Sequence, residues 1–65
     1  MITRSRIEEI SKILRNGGYI QLASRGNHVI DSEGKMIMNL NDFERSEVVD
    51  ELHLKRNEAN STWTF

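Results

Sequence analysis

The sequence predicts a single small α+β domain, ordered α-β-β-β-α and followed by a C-terminal tail or short edge strand. Three observations lead there. Apolar residues recur at three-four spacing near the N-terminus. The middle of the chain alternates and is broken twice by glycine-containing turns. A second helical pattern follows, and the chain then ends on "STWTF", where polar and aromatic residues alternate.

The first helix is expected over residues 3–16. Ile7, Ile10, Ile13 and Leu14 make one apolar stripe. Two starts are open: Ser5 with Glu8 as a capping box, or Thr3 as the cap with Ile2 stapled onto Ile7. Glu8 and Glu9 precede Lys12 and Arg15, the order the helix dipole favours. Asn16-Gly17-Gly18 is a stop signal.

Residues 19–40 are expected to form a β-meander. Its strands are "YIQLAS", "HVID" and "KMIMNL", joined by "RGN" and "SEG". The second turn sets Asp31 opposite Lys35 and Ile30 opposite Met36. The first sets Leu22 opposite Val29. Ile20, Leu22, Val29 and Ile37 then share one face, and Tyr19, Ile30, Met36, Met38 and Leu40 the other.

A second helix is expected over residues 41–57. Asn41 with Glu44 is one cap pair, and Asn39 is the other candidate. Val48, Val49 and Leu52 fall on one side. Phe43, Glu47, Asp50, Glu51 and Leu54 fall on the opposite side, mixing acids with large apolar groups. The last segment, 58–65, is a tail or an edge strand. In a strand, Trp63 and Phe65 point the same way. Either the tail closes its own sheet or it docks onto another chain.

Composition bounds the function. Sixty-five residues make one domain with a thin stability margin. With no cysteine, disulfides, thiolate metal sites and cysteine nucleophiles are excluded. The two histidines, His28 and His53, lie on different elements, so no metal site is expected. "DSEGK" lacks the remaining oxygen ligands of a calcium loop. "NGG" and "RGN" lack the lysine-serine or lysine-threonine pair of a phosphate loop. No serine has a recognisable base and orienter. The expectation is a non-enzymatic protein without cofactor, held in a cytoplasm: no apolar run approaches a membrane span or a signal-peptide core.

Charge is divided along the chain. Residues 1–30 carry Arg4, Arg6, Lys12, Arg15 and Arg25 against Glu8 and Glu9, a balance of +3. Residues 31–65 carry a balance of −4, and the total is −1. Two readings follow: the halves attract each other within the fold, or they present one basic and one acidic surface.

The leading functional expectation is a small interaction module: an inhibitor, adaptor or regulator of a larger protein. Phages and other mobile elements use many such chains against host or defence machinery. Its contact residues would be Phe43, Glu47, Asp50, Glu51 and Leu54 on the second helix, with Met36, Met38, Trp63 and Phe65. Acids around apolar anchors suit a basic, nucleic-acid-handling partner, and the apolar patches also allow a homodimer. The alternative is a nucleic-acid-binding transcriptional regulator using Arg4, Arg6, Arg15 and Arg25.

Overall fold

A computed structural model describes residues 1–65. The elements are α1 (Arg4–Arg15), β1 (Tyr19–Leu22), β2 (Asn27–Ile30), β3 (Met36–Leu40), α2 (Asp42–Leu52), β4 (Lys55–Asn57) and β5 (Thr62–Thr64). All neighbouring strands run antiparallel, in the order β3-β2-β1-β5-β4. The α+β order expected from sequence is the one observed, with β4 added.

Thr3 caps α1: its extended backbone precedes the helix and its hydroxyl accepts the Arg6 N–H at 3.2 Å. Ile2 and Ile7 are both buried beside this cap. Because Thr3 rather than Ser5 is the cap, Glu8 and Glu9 fall outside the first turn, which holds no acid. It holds Arg4 and Arg6 instead, at the end of the dipole that disfavours cations. Carboxylates of α2 compensate. Arg4 meets Glu51 at 2.8 Å and Arg6 meets Glu44 at 3.4 Å. Two of the five basic residues of the first half are thus matched by acids of the second half across the helix pair.

The sheet buries one face. Ile20 lies opposite Val29 and Trp63, and Val29 opposite Met38. Ile20 and Val29 are fully buried and Trp63 nearly so, against Ile7, Ile10 and Leu14 of α1 and Val48 of α2. Both helices thus cover the same side, as a two-layer α+β domain requires.

The expected register needs two corrections. Leu22 faces Asn27, not Val29, because β2 starts inside what reads as the "RGN" turn. Pairing also shifts between Val29 and Ile30, so Ile37 is an extra, unpaired residue. This bulge puts Met38 and Leu40, rather than Ile37, on the same side as Ile20 and Val29. Ile30 does face Met36.

The second helix is shorter than the expected 41–57. Its start is the capping box, with Asn41 and Glu44 bonding each other's backbone at 2.7 and 3.0 Å. It ends at Leu52, where His53 turns left-handed at φ 55 and the Leu54 N–H closes onto the Val49 carbonyl at 3.1 Å. That turn brings Leu54 back against the core, so it does not lie on an outer face with Phe43. Lys55–Asn57 then extend to pair with β5. No helix is long and apolar enough to cross a membrane.

Candidate functional site

The uncovered side of the sheet is read directly from the register, because directly opposed antiparallel residues share a face. One row crosses all five strands: Asn39, His28, Gln21, Thr62 and Asn57. Beside it lie Met36, Ile30 and Tyr19 on one half, and Thr64 with Lys55 on the other. These two rows contain one lysine and no carboxylate, in a chain whose residues are 29% charged. A solvated face normally carries many more charges, so this one is set apart.

Its two halves differ. Towards β3, Met36 and Ile37 are 49% and 38% exposed beside half-buried Ile30 and Tyr19. Towards β4, a polar cleft of about 440 Å³ opens along β1 and β5. Gly17 and Gly18 form part of it, with Tyr19, Gln21 and Thr62. Gly18 is glycine for packing: a Cβ would stand 2.5 Å from the Ile30 carbonyl oxygen. The far wall is braced by Gln21, whose amide donates to the Asn60 carbonyl at 2.9 Å and the Ser61 carbonyl at 3.3 Å.

The two sheet edges are unlike as well. The β4 edge is three residues long and carries Lys55 and Arg56, which resist strand addition. The β3 edge is five residues long and uncharged, with Met36 and Ile37 exposed and the bulge at Ile37 as its guard.

The residues nominated from sequence are dispersed. Phe43 is 72% exposed and Phe65 47%, on separate elements. Asp50 is exposed. Glu51 is paired with Arg4, and Glu47 accepts the Ile2 N–H at 3.3 Å and lies 4.0 Å from the N-terminal ammonium. Trp63, nominated for contact, is 4% exposed inside the core, and Met38 packs partly buried against it. Both correct the expectation of a shared contact surface, since the tail folds onto its own sheet. Leu54 is withdrawn from that surface for the same kind of reason, by packing on the core.

Of the basic set, Arg4 and Arg6 are tied to α2. Arg15 ends α1, before β1, and Arg25 follows β1 in the next loop, so the pair flanks opposite ends of that strand. The structure does not gather these four arginines into one basic stripe.

Sequence reasoning missed the polar row. Its members are ordinary strand and turn residues, and only the pairing of β5 between β1 and β4 aligns them. No group of three His, Asp or Glu side chains converges to hold a metal ion. The chain matches no family model, and neither a curated protein nor a solved structure is detectably similar to it.

Proposed function

We propose that this chain is a small non-enzymatic interaction module. It acts by occupying a surface of a larger protein, as an inhibitor, adaptor or regulator, and it docks through the β3 edge. The observation that carries this reading is the contrast between the two edges: one short and guarded by Lys55 and Arg56, the other longer, uncharged and flanked by exposed Met36 and Ile37. A partner strand added there gains main-chain hydrogen bonds, and the methionine adapts to its side chains. The acids of α2 contribute less than their number suggests, because Glu44, Glu47 and Glu51 already serve α1 and the N-terminus.

Charge placed on the edge tests this. Met36→Lys and Ile37→Lys replace exposed side chains, so the fold should survive. Affinity capture with the wild-type chain should recover one stoichiometric protein that both variants lose, while Lys55→Glu on the opposite edge retains it. Retention by both edge variants, with loss on Phe43→Asp, would move the contact to the first turn of α2. Sedimentation of the pure chain separates a partner protein from edge-to-edge pairing of two copies.

A further inference from the structure

The polar cleft is separate from the β3 edge. It lies along β1 and β5, so it is about two strand spacings, or roughly 10 Å, from β3 at its near side. We propose that it is a binding site for an uncharged polyhydroxylated ligand, a short oligosaccharide or the glycan portion of a larger molecule.

Three features of the cleft select that chemistry. The first is size and shape. About 440 Å³ falls in the range of small-ligand sites, and the cleft is shallow rather than enclosed. The second is its lining. The side chains are Tyr19, Gln21, Asn57, Asn60, Thr62 and Thr64, with no carboxylate, ammonium, guanidinium or imidazole among them. A phosphate, carboxylate or nucleic-acid backbone would find no counter-charge in the lining and a single lysine, Lys55 opposite Thr64, at the rim. A purely apolar ligand would strand amides and hydroxyls without partners. A sugar supplies hydroxyls that both donate and accept, and a C–H face that packs on the one aromatic ring, Tyr19.

The third feature is unspent hydrogen-bonding capacity. The Tyr19 hydroxyl, the Thr62 hydroxyl and the Asn60 side chain make no hydrogen bond within the chain. Asn57 uses only its oxygen, accepting the Ala59 N–H at 3.1 Å, which leaves its amide hydrogens free. Gln21 is the reverse: its NH₂ is committed to the turn, and its oxygen is free to accept. The same bonds that brace the β4–β5 turn therefore leave one donor and one acceptor unused on residues that line the cleft. A braced wall lowers the entropy lost on binding.

The test is a titration of the ¹⁵N-labelled full chain, followed by amide shifts. The probes are maltotriose, triacetylchitotriose and inorganic phosphate, each at about 50 and 500 mM salt. The proposal expects saturable shifts at Tyr19, Gln21 and Thr62 with at least one trisaccharide, with a dissociation constant near 1 mM or tighter. Affinity should be the same at both salt concentrations. Tyr19→Ala should weaken it about tenfold, and Thr62→Val, which keeps the side-chain shape, about fivefold. The variant spectra themselves report whether the fold is retained. Absence of saturation with both sugars overturns the proposal. So does binding of phosphate in their place, or wild-type affinity in both folded variants. None of these outcomes bears on docking at the β3 edge, which the lysine variants read separately.

Discussion

Asn27 shows how much a single residue can carry in a domain of this size. Its side-chain amide donates to the Leu40 carbonyl at 3.1 Å and to Asp42 Oδ1 at 2.9 Å, and the residue is fully buried. It thereby ties the start of β2 to the end of β3 and the first turn of α2. Replacing it with alanine removes both bonds and leaves the Leu40 carbonyl short of a partner. Asn27→Ala should cost about 2–3 kcal/mol in urea denaturation. A loss below about 0.5 kcal/mol would mean that the link is dispensable. This role was not legible in "RGN", because a buried asparagine and a turn asparagine have the same local signature. That Ile20 and Val29 share a face, by contrast, was readable from alternation alone, since a two-residue error in register leaves the face unchanged.

At the scale of elements, α1 follows from its own sequence, but the end of α2 does not. "HLKRN" contains good helix formers and no glycine or proline, so local propensity extends the helix. What stops it is the competing gain from pairing Lys55–Asn57 with β5 and closing Leu54 on the core. His53 bears the cost, in a left-handed conformation that glycine adopts freely. His53→Gly should therefore raise stability by about 0.5–1 kcal/mol, seen as a rise of several degrees in Tm. A fall in Tm would show that the imidazole contributes more than its backbone costs. The tail is the second case. Trp63 sits between β1 and β4 in register, with the Arg45 and Arg56 guanidiniums 4.5 and 4.8 Å from its ring centroid. Deleting Trp63–Phe65 removes β5, exposes Ile20 and leaves β4 without a partner. Such a truncated chain should lose its cooperative thermal transition by circular dichroism, because burying a tryptophan contributes about 3–5 kcal/mol, comparable with the whole margin of a small domain. An unchanged transition would mean that the sheet stands without its fourth neighbour.

For the whole molecule, part of the division of charge along the chain is an internal match. Lys12, Arg15 and Arg25 stand in no ion pair, but Arg4 and Arg6 of α1 meet Glu51 and Glu44 of α2. Such exposed pairs each contribute less than about 1 kcal/mol. A double-mutant cycle of Arg4→Gln and Glu51→Gln should give a coupling energy near 0.5 kcal/mol that shrinks in high salt. A coupling of several kcal/mol would mean that the pair is far better shielded than its exposure indicates. The order of the elements from α1 to α2, both helix starts within a small choice of caps and the apolar stripe of α1 were determined by the sequence, because each depends on periodicity and capping within a few residues. Residues 58–65 read as a tail or an edge strand, and the structure makes Thr62–Thr64 an inner strand between β1 and β4. The end of α2, the strand at Lys55–Asn57, the bulge at Ile37 and the placement of Met38 and Leu54 inside were decided only by the tertiary structure. So was the alignment of Asn39, His28, Gln21, Thr62 and Asn57 across the open face. Each of those depends on which distant segment pairs with which, and burial of Trp63 against a core shared by both helices outweighs the local preference of the residues that must bend to permit it.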